Sequence, residues 1–225
     1  MSTAASRGWG RRLMDWLDER FDLSEPLEKF LRKPVPKHAI RWYFCLGGIT
    51  FFLFVVQGIT GILLSLYYRP TPEHAYESIL FIMNNVRFGW LVRSIHSWSA
   101  SLMVATCIGH MVRVYVTGSY KNPRELNWVV GMMLGILTLG FGFTGYLLPW
   151  DQRAFWGSTV GSEILGTVPW VGKTLLALLR GGQDVTGLTL VRFYGGHVLV
   201  LPSLMLIFLV LHFIIVRRQG ISGPL

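Results

Sequence analysis

Charge is the first thing this sequence is short of. Only 15% of its 225 residues are Asp, Glu, Lys or Arg, against 52% hydrophobic, and the mean hydropathy is +0.45. That balance excludes an ordinary soluble domain and points to a polytopic membrane protein. Cysteine is nearly absent as well. Cys45 and Cys107 lie in apolar stretches, and no CxxC or CxxCH occurs. A disulfide framework, a vicinal redox pair and ordinary c-type heme attachment are therefore excluded. The first 40 residues lack an apolar core segment, so no cleavable signal peptide is expected. The excess of 21 Lys+Arg over 12 Asp+Glu would suit nucleic acid, but the basic residues are placed as a topology signal, and no nucleic-acid partner is expected.

What is abundant is long apolar sequence. Four spans are predicted: A over Trp42–Tyr68, B over Gly89–Val116, C over Leu126–Trp150 and D over Phe193–Val216. Each is long enough to cross a bilayer. Trp42, Trp90, Trp128 and Trp150 mark span ends, where interfacial tryptophans belong. The fold class expected is all-α, a four-helix membrane bundle with interfacial amphipathic helices. The chain divides into an N-terminal region (1–41), the bundle (42–216) and a tail (217–225). Asp15–Phe21 reads as an amphipathic surface helix, and the apolar stretch Val168–Leu179, too short to cross, as an interfacial segment of the C–D loop.

Four spans place both termini on one side. The N-terminal region, the B–C loop and the tail carry 14 Lys+Arg, whereas the opposite side carries 7. The positive-inside rule puts both termini in the cytoplasm or stroma, in a bacterial plasma membrane or a thylakoid, with anionic lipid as a possible contact.

Two spans carry ionisable residues of a single kind in their interiors. His96 and His110 lie 14 residues apart in span B, and His197 and His212 lie 15 apart in span D. Fourteen helical residues make close to four turns and rise about 21 Å, most of a hydrocarbon core about 30 Å thick. Histidines inside membrane spans are costly and usually functional. Spans B and D run in the same direction, so His96 pairs with His197 and His110 with His212. Each depth then offers two imidazoles, the donor set of a bis-histidine heme. His38 and His74 lie outside the spans and read as surface residues.

Two further patterns agree. Arg93 and Arg113 flank the span B histidines at three residues, and Arg192 and Arg217 flank those of span D at five. With Arg124, they are candidates for heme propionates, although interfacial snorkelling accounts for arginines there too. Gly47 and Gly61 in span A, and Gly131 and Gly145 in span C, are each 14 apart. Glycines at the histidine interval suit a macrocycle edge packed against backbone, whereas a single such pair would suggest plain small-residue helix packing.

The stretches Tyr43-Phe44-Cys45-Leu46-Gly47-Gly48-Ile49-Thr50, Phe88-Gly89-Trp90-Leu91-Val92-Arg93-Ser94-Ile95-His96, Gly145-Tyr146-Leu147-Leu148-Pro149-Trp150-Asp151-Gln152 and Arg218-Gln219-Gly220-Ile221-Ser222-Gly223-Pro224-Leu225 resemble the cytochrome b6 family. These are the split, N-terminal-half cytochromes b of b6f and menaquinol:cytochrome c reductase complexes. The resemblance implies the diheme subunit of a quinol:cytochrome c (or plastocyanin) oxidoreductase in a respiratory chain or in photosynthesis. Such a subunit moves electrons across the membrane with proton translocation and is not active alone. It implies two b-type hemes, the low-potential one on His96 and His197 and the high-potential one on His110 and His212. In such proteins a cysteine placed like Cys45 carries a further, covalently attached heme; Cys107, mid-span, matches no such role. Trp150, Asp151 and Gln152 would wall the quinol-oxidising site, and Arg217 and Arg218 would lie at the quinone-reducing side. The Pro-Glu-Trp-Tyr motif of the family's quinol pocket is missing from this chain. Expected partners are therefore a subunit IV-like C-terminal half of cytochrome b, a Rieske iron–sulfur protein, a c-type cytochrome, quinol and quinone, in a dimeric complex. The alternatives are a diheme anchor of another quinone-linked dehydrogenase and a proton-relaying transporter.

Overall fold

The computed structural model describes residues 8–21, 25, 28, 32 and 41–220. His38 and residues 221–225 lie outside the described set. The chain forms two compact units, Met1–Ile40 and Arg41–Leu225. In the first, α1 spans Trp9–Phe21. Trp9, Leu13 and Trp16 recur at helical spacing on one exposed face. The Arg20 guanidinium closes the last turn by donating to the Trp16 carbonyl (3.0 Å) and pairing with Glu19 (3.2 Å).

The second unit holds the four spans. A short 3-10 turn, Trp42–Phe44, leads into α2, Leu46–Ser65. α3 is Ala75–Asn84, α4 is Gly89–Val116, and α5 is Glu125–Leu147. α6 (Gln152–Gly166) and α7 (Gly172–Arg180) fold the C–D connection into a helical hairpin. The last span is continuous over Gly187–Gln219. It consists of α8 (Gly187–Gly195), a π-helical segment (Gly196–Val200) and α9 (Leu201–Gln219). α2, α4, α5 and this last helix are each long and apolar enough to cross a membrane. The chain is an all-α membrane bundle, with no strand among the described residues.

Several boundaries differ from the sequence expectation for physical reasons. Span C stops at Leu147 because Pro149 cannot continue a helix and restricts the residue before it. Span D starts six residues earlier than expected, at Gly187, because Thr186 and Thr189 form a capping box there. The interfacial stretch Val168–Leu179 is helical only from Gly172. α3 has no counterpart in the expected scheme.

Each span contributes one residue to the bundle centre: Leu53, Met103, Leu134 and Met205, with Phe54, Phe141 and Phe208 packed around them. Most other large apolar side chains face outward, as they do when lipid is the solvent. Polar groups inside the spans are consumed between helices. Gln57 donates to the His96 carbonyl (2.6 Å) and to Ser99 Oγ (2.7 Å), and Thr50 donates across to Thr106 Oγ1 (3.0 Å).

The α6–α7–α8 region is tied by one cation. Arg180 is 4% exposed. Its guanidinium donates to Ser162 Oγ (2.8 Å), the Thr159 carbonyl (3.0 Å) and the Gln183 carbonyl (2.7 Å), and it pairs with Glu163 (2.8 Å). Thr189 at the start of α8 donates to the Arg180 carbonyl (2.8 Å).

Candidate functional site: two imidazole pairs in a four-helix bundle

The bundle end at which α2 begins and α9 finishes is here called the near end; α3, α6 and α7 lie at the far end. His110 and His212 stand at the near end, His96 and His197 at the far end. His110 lies within electrostatic reach of His212, and His197 within reach of His96. The depth pairing follows from α4 and the last span running the same way.

Each histidine faces one of the four glycines. A Cβ on Gly47 would stand 2.9 Å from His110 Cε1, and one on Gly145 would stand 2.7 Å from His197 Cε1. On Gly61 it would lie 3.4 Å from His96 Cε1, and on Gly131 3.7 Å from His212 Cε1. The expected macrocycle-edge contact and an imidazole contact both call for a missing side chain at these positions. In this structure they make room for the imidazole of the neighbouring helix, α2 for α4 and α5 for the last span. On α2 and α4 the interval of 14 is shared by glycine and histidine because they are contact partners, whereas on α5 glycines 14 apart face histidines 15 apart.

The outer ring nitrogens differ between the two depths. At the far end, His96 Nδ1 lies 2.8 Å from Thr60 Oγ1, and His197 Nδ1 lies 2.9 Å from Thr144 Oγ1. At the near end, Arg113 Nη2 lies 3.3 Å from His110 Nδ1. His212 Nδ1 is buried, with no side-chain partner, and the Asn127 backbone lies beside the ring. Thr60, Thr144 and Gln57 were missed by sequence reasoning. The signal available for the threonines was the Thr-Gly dipeptide repeated at Thr60-Gly61 and Thr144-Gly145.

The arginines separate into those beside a histidine and those engaged elsewhere. Arg113 touches His110, stacks its guanidinium 5.0 Å from the Phe44 ring, and leaves Nε buried without a partner. Arg93 reaches Met83 Sδ (3.7 Å). Arg192 turns away from His197 and donates to the Leu178 and Ala177 carbonyls at the end of α7. Arg124 donates to the Gly220 carbonyl (3.4 Å), and Gln219 to the Pro123 carbonyl (2.6 Å), so the end of α9 is held against the B–C connection. Arg217 and Arg218 occupy the last turn of α9, where they complement the helix dipole.

Trp150, Asp151 and Gln152 line one cavity of about 490 Å³, together with Phe155 and with Tyr76 from α3. Asp151 also caps α6 by accepting from the Ala154 N–H (2.8 Å). Trp150 sits at φ +53°, a strained conformation for a large side chain. Tyr68 braces this end by donating to the Leu148 carbonyl (2.6 Å). Burial pushes its phenol above the ordinary tyrosine value, so it stays a donor. At the near end, Cys45 is exposed at the start of α2, and a side chain on Gly48 would meet nothing within 4 Å. Cys107 is half-buried in α4. His74, between α2 and α3, is exposed and pairs with Glu77 (3.3 Å).

The residues fit a heme at each depth. Two imidazoles are the right donor set, the glycines let them approach between helices, and the orphaned Arg113 Nε beside His110 suits an anionic propionate.

A family profile described as cytochrome b/b6/petB matches residues 30–220. The cytochrome b6 of Synechococcus elongatus is 49% identical over 214 residues, covering 95% of this chain and 99% of the relative. That of Heliomicrobium gestii is 50% identical over 213 residues, covering 94% and 100%. A solved chain of a hyperthermophilic respiratory complex III superposes with a TM-score of 0.84 at 34% identity. The match takes in 94% of the present chain and 56% of that one.

Proposed function

Since this chain belongs to the cytochrome b/b6 family, we propose that His96 and His197 hold one b-type heme and His110 and His212 a second. The chain is a cytochrome b subunit of a quinol–cytochrome oxidoreductase, an integral membrane protein with heme as its cofactor. The observation that carries the residue assignment is the set of four glycine–imidazole contacts at two depths. When bound, the hemes supply one-electron carriers near each membrane surface.

The chain's own contribution is binding and orientation. Gly47, Gly61, Gly131 and Gly145 let α2 and α5 press against the imidazoles and fix their planes. Arg113 supplies a cation beside the near-end pair, and Arg93, Arg124 and Arg192 are the remaining propionate candidates; of these, Arg192 would have to leave the α7 carbonyls. Trp150, Asp151 and Gln152 form a rigid wall for quinol at the far end, with Asp151 held by its capping bond. Arg217 and Arg218 stand at the quinone-reducing near end. Cys45, exposed beside the open face of Gly48, would attach a further heme through a thioether.

The 14-to-7 split of Lys+Arg supports the near end and both termini on the cytoplasmic or stromal side. The match over 99% and 100% of the length of cytochrome b6 proteins supports a separate subunit carrying the C-terminal half. A Rieske protein and a c-type cytochrome would complete the dimeric complex.

The test is a reduced-minus-oxidised spectrum with a redox titration of the purified complex. Two b-type components are expected. Replacing His96 or His197 should remove one of them, and replacing His110 or His212 the other. Loss of one common component from His96 and His212 variants would overturn the assignment.

A further inference from the structure

A second cavity, of about 410 Å³, opens at the far end between the chain leaving α2 and one face of α3. We propose that it seats the headgroup of one amine-bearing zwitterionic phospholipid, its phosphate on Arg69, its ammonium on Glu77 and its acyl chains along the outer face of α2.

The cavity stands at headgroup depth. The 20 residues of α2 rise about 30 Å, the thickness of a hydrocarbon core, and Arg69 follows shortly after the helix ends at Ser65. Arg69 is pinned through its backbone. Its N–H donates to Ser78 Oγ (3.2 Å), and Ser78, buried in α3, donates in turn to the Ala75 carbonyl (2.8 Å). His74, Glu77 and Phe81 follow one another at three and four residues, so they share the α3 face that carries Ser78 to the cavity. Tyr67 packs against Phe81 with ring centroids 6.4 Å apart, which makes an apolar wall. Leu66, Ile62 and Ile59 continue that wall along α2, each more than half exposed.

The cavity holds two opposite charges that do not pair with each other. The Arg69 guanidinium makes no hydrogen bond or ion pair among the described residues. Glu77 gives one oxygen to His74 (3.3 Å) and keeps the other open. A guanidinium binds phosphate through two parallel N–H bonds, and a primary ammonium offers a carboxylate three donors. An anionic headgroup without an amine would set its charge beside Glu77, and a free phosphate would leave the aromatic wall uncovered. A lipid carrying both charges satisfies each group and covers Tyr67 and Phe81 with its chains. It also braces α3, whose opposite face carries Tyr76 to the cavity lined by Trp150, Asp151 and Gln152.

The experiment is native mass spectrometry of the delipidated complex, with all variants compared at matched heme content. The complex is titrated with micelles containing phosphatidylethanolamine or phosphatidylglycerol, or with inorganic phosphate. Arg69→Gln should weaken one phosphatidylethanolamine site by about tenfold, the loss of a charge-assisted phosphate contact, and weaken phosphatidylglycerol there too. Glu77→Gln should weaken phosphatidylethanolamine by a similar factor while phosphatidylglycerol binds as well as before or more tightly. Wild-type preference for phosphatidylglycerol, or displacement of the lipid by inorganic phosphate, would overturn the amine-bearing lipid as occupant. Phosphatidylethanolamine binding unchanged in both variants would overturn the site itself. None of these results bears on the histidine assignment, which the redox titration tests separately.

Discussion

The four glycines provide a graded test, because the clearance at each is different. Ordinary carbon contact begins near 3.4 Å, so alanine at Gly145 and Gly47, at 2.7 and 2.9 Å from a ring carbon, requires something to shift. Alanine at Gly61, at 3.4 Å, sits on the boundary, and at Gly131, at 3.7 Å, it is accommodated. The rings that would have to give way are tethered. Thr144 holds His197, and Arg113 lies against His110, whereas His212 Nδ1 has no side-chain tether. Overpacking of this sort costs about 1–3 kcal/mol. Gly145→Ala should therefore weaken retention of the His96–His197 heme by roughly tenfold or more, since about 1.4 kcal/mol is a factor of ten. Gly47→Ala should do the same to the His110–His212 heme, Gly61→Ala should have a small effect, and Gly131→Ala almost none. The assay is heme content of each component, resolved by redox titration, after graded thermal or detergent challenge. Equal effects at all four positions, or the largest at Gly131, would refute the claim that glycine serves the imidazole.

Other outcomes follow from the same geometry. Cys45→Ser should abolish the heme stain that otherwise survives a denaturing gel while both b hemes remain; a native chain free of stain returns Cys45 to packing. The isolated chain should bind b heme yet show no quinol:cytochrome c reductase activity, and inhibitor-sensitive turnover by it alone would refute the need for a second half. Arg180→Met should cost about 2–4 kcal/mol, because charge-assisted bonds and buried acceptors are lost together. Hydrogen exchange should then accelerate across α6, α7 and the start of α8 with α2 unaffected; uniform loosening would contradict a local clamp.

The parts legible in the sequence were those written as apolar length and as repeat interval. Four spans and two histidine pairs need only a hydropathy profile and the helical period. The glycines were legible as positions, but the imidazole that each faces was not, because a missing side chain does not say which neighbours approach it. α3 was missed since a ten-residue helix between Pro72 and Arg87 has neither span length nor a strong cap. Spacing alone did not foretell the contact Arg192 makes: five residues before His197, it donates to the Leu178 and Ala177 carbonyls at the end of α7. The threonine acceptors were hidden for another reason. A threonine in an apolar helix usually bonds its own backbone, and that bond is present here; its effect on the neighbouring ring depends on a second contact across helices.

The unequal histidine intervals are reconciled by one turn of helix. At about 100° per residue, 14 residues return a side chain to within about 40° of its starting direction, whereas 15 carry it about 60° past. Gly131 and Gly145 on α5 keep the interval of 14, yet they face His212 and His197, which are 15 apart. An uninterrupted α-helix would swing one of those rings by about 100° relative to its glycine. The π-helical segment Gly196–Val200 contains His197 and absorbs the extra residue. Pro202, two residues beyond the segment, has no N–H for an α-type bond to the Val198 carbonyl, so the wider turn forms where the ladder is already interrupted. The added residue therefore leaves both rings in register with α5, and the place where the helix departs from α geometry is the place where it carries the imidazole.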